Sequence, residues 1–203
     1  MYLPYIEQYL AETKRVVDGL DRPSIERMIE LLKAVRDARG RLFILGVGGG
    51  AGHASHAVND FRKIAGIEAY TPMDNISEFS ARVNDDGWEE VMTEWLKGSF
   101  LSAQDAVLVF SVGGGNAEKK ISINIVSGVK YAKSVGAKVL GIVGRDGGYT
   151  KQVADACVVV PTVNADTVTP HTESFQAVIW HLIVSHPLFL KQKGKWESIE
   201  QTK

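Results

Sequence analysis

The sequence predicts an α/β fold: a doubly wound, five-stranded parallel sheet preceded by two N-terminal helices. Three observations carry that prediction. Four short apolar runs, "RLFILGVGGG", "DAVLVFSVGGG", "AKVLGIVGRDGG" and "DACVVVPTVN", each end in glycine or a turn. None alternates with polar residues, so each fits a parallel sheet covered on both faces. Helix-compatible stretches separate the runs, as crossover connections between parallel strands require. A weaker fifth run, "GIEAYTP", follows the first glycine-rich segment.

The bulk numbers agree with one domain that has a full core. The chain has 203 residues, 45% hydrophobic and 23% charged, with a formal net charge of -1. That balance excludes disordered chains and nucleic-acid-coating proteins, so no nucleic-acid partner is expected. The apolar runs fall well short of the roughly 20 residues a membrane-spanning helix needs, so no membrane partner is expected either. The start, "MYLPYIEQYLAETKR", lacks the basic and apolar blocks of a secretion signal. Cys157 is the single cysteine, which rules out an internal disulfide and makes the cytoplasm the simplest location.

Along the chain, Tyr5, Ile6, Tyr9, Leu10, Val16 and Val17 recur at helical spacing, and Ile25, Met28, Ile29, Leu32 and Val35 repeat the pattern. Between them "GLDRPS" supplies a stop at Gly19 and a first-turn proline at Pro23. Residues 1–38 thus read as a helical pair that packs on the sheet or on a neighbouring subunit, 39–190 as the main domain, and 191–203 as a polar, little-structured tail.

In doubly wound sheets ligands bind outside the carboxyl ends of the strands, where both triple-glycine runs fall. In "LGVGGGAGHASHAVND", Gly46, Gly48, Gly49 and Gly50 can bring backbone N–H groups close to an anion at a helix N-terminus, or simply make a tight turn. The same stretch matches a dinucleotide fingerprint at Gly46, Gly48 and Ala51, with Glu68 further on as the ribose-binding acid. His53, His56 and Asp60 follow at helical spacing. The i, i+4 pair His56 and Asp60 suits a metal or proton transfer, whereas His53 reads equally well as a solvated residue.

The last apolar helix, "VTPHTESFQAVIWHLIVSHP", has Thr169 to cap it and Pro170 in its first turn. Glu173, Ala177 and His181 form one stripe, and its polar groups need partners if buried. His171 is a weak candidate for reaching a ligand, and His186 suits the negative end of the helix. All five histidines lie in these two segments. A third segment, "FSVGGGNAEKK", offers Ser111, Gly113, Gly114, Gly115 and Asn116 to a phosphate, with Lys119 and Lys120 read as a solvated face. "ARVNDDGW" places Asn84, Asp85 and Asp86 in a turn before Gly87, and "VGRDGG" centres another on Asp146 and Gly147.

From Gly40 to His186 the order of these motifs resembles the sugar isomerase (SIS) family, and within it the phosphoheptose isomerases, which convert sedoheptulose 7-phosphate to an aldoheptose phosphate. The resemblance rests on the glycine loop with His56 and Asp60, the Asn84–Asp85 pair, the loop Ser111–Asn116, the Asp146–Gly148 turn, and Glu173 with His181 on the last helix. It implies a flavodoxin-like strand order and substrate binding by Gly48, Gly49, Gly50, Asn84, Asp85, Ser111, Gly113, Gly114, Gly115 and Asn116. It also implies catalysis by Asp60, Glu173 and His181, and a possible zinc site of His56, Asp60, Glu173 and His181. A sugar phosphate would be the ligand, with no nucleotide cofactor, and the chain a homo-oligomer, a tetramer in typical members, with sites built between subunits. The chain departs from the family where its phosphate loop, Ser111–Asn116, loses hydroxyls at Val112, Gly113 and Asn116. Val47 stands for Asn, Gly50 for Ser, Asp60 for Glu, Glu173 for Gln, and Pro170 for Asp.

The leading expectation is therefore aldose–ketose isomerisation of a sugar phosphate through an enediol. A carboxylate, Asp60 or Glu173, would take the proton beside the carbonyl and His181 would serve the oxygens. A non-catalytic sugar-phosphate-binding regulator or assembly factor of the same fold is the alternative, and a dinucleotide-binding protein the third reading.

Overall fold

The apolar runs become strands where the sequence places them: β1 (Leu42–Gly46), β2 (Ala69–Tyr70), β3 (Ala106–Ser111), β4 (Lys138–Val143) and β5 (Ala156–Val159). In the computed structural model, which describes residues 3–199, all strands are parallel in the order β2-β1-β3-β4-β5. "GIEAYTP" contributes only the two residues of β2, an edge strand paired through Leu42–Ala69 and Phe43–Tyr70. The order reverses between β1 and β3, so the switch-point crevice opens at the carboxyl ends of these two strands.

Nine helices occur among the described residues: α1 (Leu3–Asp18), α2 (Arg22–Asp37), α3 (Gly49–Lys63), α4 (Ile76–Asp85), α5 (Val91–Gly98), α6 (Ile123–Ser134), α7 (Gly148–Val153), α8 (Val168–Ser185) and α9 (Lys195–Ser198). The period-2 geometry of a strand sends alternate side chains to opposite faces. Leu42 and Ile44 accordingly join a core with Met28, Leu32, Phe61, Ile179 and Trp180 from α2, α3 and α8. Phe43 and Leu45 join a second core with Met92, Trp95, Leu96 and Val129 from α5 and α6. Each fully buried apolar side chain of this kind contributes about 1.5–3 kcal/mol. This two-sided burial is why the strands read as unbroken apolar runs.

Three local expectations change. Asn84 and Asp85 lie in the last turn of α4 rather than in a free turn, and the chain reverses at Gly87, whose φ is +83°. Helix α8 starts at Val168, one residue before the expected cap at Thr169, with Thr167 in the capping position. The polar tail contains the short helix α9 and is tied to the end of α3, where the N–H groups of Lys191 and Gln192 both donate to the Ile64 carbonyl. Its last residues, 200–203, lie outside the described part.

Helix α1 is held to this frame by a buried carboxylate. The sequence marks Val16 as core, but the other anchor is Glu12, only 2% exposed. Its oxygens accept from Gln8 Nε2 (2.9 Å), Asn164 Nδ2 (2.7 Å) and Thr167 Oγ1 (2.8 Å), and Oε2 lies 3.0 Å from His171 Nε2. Tyr9 stacks on the His171 ring at 4.3 Å. His171 therefore ties α1 to α8 and does not reach a ligand. A buried carboxylate with this many donors satisfies the rule that interior charge must be paired.

The same donors, Gln8 foremost and then Asn164, His171 and Thr167, hold the Glu12 carboxyl at about 2, against an ordinary 4.5. A depressed folded-state value means that the unfolded chain takes up the proton first. The stabilisation is complete above about pH 4.5 and is lost as pH falls toward 2. Acid unfolding followed by circular dichroism should therefore show Glu12→Gln less stable than wild type at pH 7, with the gap closing as pH falls through that window.

Candidate active site

The first glycine turn places α3 tightly on the strand ends. Gly48 takes φ +60°, which starts the helix without a side-chain cap. At Gly50 an added Cβ would lie 2.5 Å from the Phe110 carbonyl oxygen, so this glycine is needed for packing against β3. At Gly49 an added Cβ would meet the Glu173 carboxylate at 2.4 Å. The turn expected to cradle a substrate anion thus holds a carboxylate of the chain itself, at the positive end of α3.

Beyond that turn, α3 and α8 lie side by side and bring His56, Asp60 and His181 together. One nitrogen or oxygen from each lies within 4.8 Å of the others. Asp60 Oδ2 is 3.7 Å from both His56 Nε2 and His181 Nε2, while its Oδ1 accepts from Asn59 Nδ2 at 2.8 Å. His181 Nδ1 lies 2.8 Å from the Ala177 carbonyl, which can only accept, so Nδ1 carries the proton and Nε2 of the neutral ring has a free lone pair. The His56 and His181 rings stand nearly perpendicular, 5.4 Å apart, and both touch the buried Trp180. Asp60 is buried and the two histidines are exposed, so the cluster opens outward from a rigid base.

Glu173 stands apart from this triangle. Eight residues along a helix amount to about 12 Å of rise and about 80° of rotation. Within one chain Glu173 therefore faces Gly49 and His53 rather than the ion site suggested for it with His181. Burial pushes the His53 imidazole below its ordinary value, and the Glu173 charge pulls partly against that shift. His53, equally a solvated residue by sequence, is Glu173's neighbour.

A cavity of about 320 Å³ opens beside these elements at the ends of β1, β3 and β4. Ser111, Gly113, Gly115 and Asn116 line it as the sequence suggests, while Gly114 sits beneath, where an added Cβ would overlap the Gly147 carbonyl. The Gly114 N–H donates to Ser111 Oγ at 3.1 Å, which leaves the hydroxyl proton free for a ligand. Val47 of the first glycine loop also lines the cavity, whereas Gly48, Gly49 and Gly50 do not. Asn84 and Asp85 are exposed, bonded to each other at 2.7 Å, and also lie away from it. Two cations on the cavity wall were not identified from sequence: Arg145, read only as part of a turn, and Lys119, read as solvated. Each follows a strand-end glycine segment closely, and that proximity was the available signal.

A parallel α/β sheet with a glycine-lined cavity at its strand ends and a His–Asp–His cluster between α3 and α8 is a framework that can take a phosphorylated sugar. No family model matches the chain. Its relatives place it nonetheless: it is 30% identical over 188 residues to the lincomycin biosynthesis protein LmbN of Streptomyces lincolnensis, covering 89% of this chain and 68% of that one. It is 25% identical over 184 residues to the phosphoheptose isomerase of Helicobacter pylori, covering 87% and 90%. In fold it is similar to phosphoheptose isomerase GmhA from Neisseria gonorrhoeae, with a TM-score of 0.77 and 20% identity over 91% of this chain and 98% of that one. The chain belongs to the sugar isomerase (SIS) family, in its phosphoheptose-isomerase-like branch.

The Glu173–Gly49 contact can be tested without any assay of activity. Unlike Gly50→Ala, whose methyl group would meet the Phe110 carbonyl, Gly49→Ala has only to turn the Glu173 carboxylate aside and should cost at most about 1 kcal/mol in urea unfolding. Most of that loss should vanish when the same change is made in a Glu173→Ala background, because the obstructing group is gone.

Proposed function

We propose that this protein is a phosphosugar isomerase that interconverts the aldose and ketose forms of a sugar phosphate such as sedoheptulose 7-phosphate. The observation that carries the reading is the approach of His181 Nε2 to Asp60 Oδ2 at 3.7 Å, in a chain whose strand ends also carry a glycine-lined cavity. Interchange of C1 and C2 needs one base for the carbon-bound proton and one group that serves the two oxygens. Asp60, oriented by Asn59, takes the proton from the carbon beside the carbonyl and returns it to the other carbon of the enediol. His181, with Nδ1 committed to the Ala177 carbonyl, uses Nε2 to accept the hydroxyl proton and return it to the other oxygen of the enediol. Glu173, seated against Gly49 at the start of α3, orients the sugar chain through its hydroxyls.

His56, Asp60 and His181 fit a zinc ion: two imidazoles and a carboxylate with an open fourth position are a donor set used by catalytic zinc sites. Bound there, zinc would take up the His181 Nε2 lone pair and the Asp60 carboxylate, so Lewis-acid polarisation of the substrate carbonyl would replace their proton transfers rather than accompany them. A set that also includes Glu173 requires a second chain, given the separation along α8. This supports a homo-oligomer, a tetramer as in typical family members, with sites built between subunits. The outer side of α1 supports it further, since Leu3, Ile6, Leu10 and Val17 are each about half exposed in one apolar stripe. In this reading residues 1–38 serve assembly, 39–190 carry the site, and 191–203 form an accessory tail.

No nucleotide takes part in the proposed reaction. A pyrophosphate on the Gly46–Ala51 turn would meet the Glu173 carboxylate already there. Among the described residues no helix is long and apolar enough to cross a membrane, and the reaction is assigned to the cytoplasm, where a lone cysteine stays reduced. Burial pushes the Cys157 thiol up to about 11, so it supplies no nucleophile.

Incubation of the purified protein with sedoheptulose 7-phosphate in D2O should give aldose phosphate with deuterium at C2. Asp60→Asn should lower kcat by about 10²–10⁴-fold, the usual share of a positioned base. Wild-type protein that binds the sugar phosphate without converting it would favour the regulator instead. Zinc titration should perturb Trp180 fluorescence at one ion per chain, and His56→Ala should abolish the response. In size-exclusion chromatography Ile6→Glu with Leu10→Glu should elute as a smaller species than wild type.

A further inference from the structure

The phosphate loop of this chain has lost hydroxyls that the family resemblance leads one to expect, and the cavity it lines has gained charge. Arg145, just past the end of β4, and Lys119, beyond Asn116, both line it. Neither side chain has a hydrogen-bond or ion-pair partner among the described residues. The Lys119 backbone N–H is fixed by Asn116 Oδ1 at 2.8 Å, which anchors the base of that side chain. Asp146 also lines the cavity, but its Oδ1 is engaged by the Gly148 N–H at 3.1 Å, and two cations against one carboxylate leave the wall net positive.

Backbone conformation singles out the same walls. Of the five non-glycine residues at positive φ among the described residues, Arg145 (+55°) and Ser122 (+49°) line this cavity and Lys120 (+51°) adjoins Lys119. Holding such residues in the left-handed region costs of order 1–3 kcal/mol each, and such strain concentrates at ligand clamps. At Arg145 the conformation follows Gly144 directly and precedes the Asp146–Gly148 turn, which sets the side chain on the cavity rim. A guanidinium there can hold two phosphate oxygens at once, and an ammonium in the same cavity can hold the third.

We propose that Arg145 and Lys119 bind the substrate phosphate, in place of the missing loop hydroxyls, and select its dianionic form. The inference rests on the sugar-phosphate reading above and extends it to the residues that read the charge. Hydroxyl and backbone N–H donors hold monoanion and dianion with modest discrimination, whereas two cations favour the dianion. Phosphate loses its second charge below about pH 6. Apparent affinity should therefore fall as pH drops through that value, and fall with added salt, because the cations are solvent-exposed.

The test uses inorganic phosphate as the probe, titrated calorimetrically into the full-length protein, alongside steady-state kinetics with sedoheptulose 7-phosphate. Arg145→Asn keeps a residue that tolerates positive φ while removing the charge, and Lys119→Gln keeps the chain length. Each should weaken phosphate binding and raise KM by roughly ten- to hundred-fold, with kcat changed far less, and Arg145→Lys should recover part of the loss. The salt and pH dependence of binding should flatten in the double variant. Absence of phosphate binding to wild type, or equal binding and KM in wild type and both variants, would overturn the proposal. Phosphate binding that depends on Arg145, in a wild-type protein that converts no sugar phosphate, would instead overturn the isomerase reading and leave this anion site standing. Unchanged KM in Arg145→Asn with full turnover would do the reverse.

Discussion

The close approach of α3 to β3 and α8 is the constraint on which the rest of the site depends. Without side chains at Gly49 and Gly50, the first turn of α3 can rest on the Phe110 carbonyl and against the Glu173 carboxylate. A methyl group at Gly50 would press on the Phe110 carbonyl and push the helix outward, whereas one at Gly49 would turn the Glu173 carboxylate aside. His56 and Asp60 lie further along the same rigid helix, so any such shift is transmitted to them, and a separation of 3.7 Å from His181 would not survive it. Close-packed interiors transmit displacement in this way rather than absorbing it.

The surrounding frame keeps that approach in place. Phe61, Ile179 and Trp180 are fully buried and join α3 and α8 to the sheet through one continuous core. The second core holds β1 and β3 from the other side through Phe43, Leu45, Met92 and Leu96. Strand ends so confined form a stable floor, and the loops above them can then be specialised. Helix α1 joins the frame chiefly through Glu12 and Val16, which leaves most of its apolar surface outward. An element attached by one polar network and presenting an apolar stripe is suited to meeting another subunit.

The His–Asp–His cluster and the cavity occupy different structural settings in this molecule. The His–Asp–His cluster sits on two helices, with Asp60 buried and bonded to Asn59, so its geometry is preorganised. The cavity is made from loops, and its cations lie on the rim, where they can adjust to a ligand. Loss of loop hydroxyls is tolerable there because backbone N–H groups remain and Arg145 and Lys119 stand close by. The Glu173 carboxylate lies against Gly49 at the start of α3, apart from the His–Asp–His cluster.

What the sequence by itself determined follows from short-range periodicity. Apolar runs without alternation identified β1, β3, β4 and β5 and their burial on both faces, and i, i+4 spacing paired His56 with Asp60. Glycines at strand ends marked where a ligand can approach, and Ser111 and Asn116 do line the cavity. Other assignments depended on contacts between residues far apart in the chain. Asn84 and Asp85 read as a turn near the substrate but complete α4 at the surface, where Arg82 pairs with both Glu78 and Asp86 and keeps the last turn helical. His171 read as a weak ligand, yet its partner is Glu12, 159 residues away, and no local pattern connects the two. Gly48, Gly49 and Gly50 read as an anion cradle, but tertiary packing fills the turn with Glu173. Only the tertiary structure decided that His181 joins Asp60 within one chain, that Glu173 does not, and that Arg145 and Lys119 share a cavity. The reason is physical: local sequence sets which way a side chain leaves its helix or strand, and the packing of those elements sets what it meets.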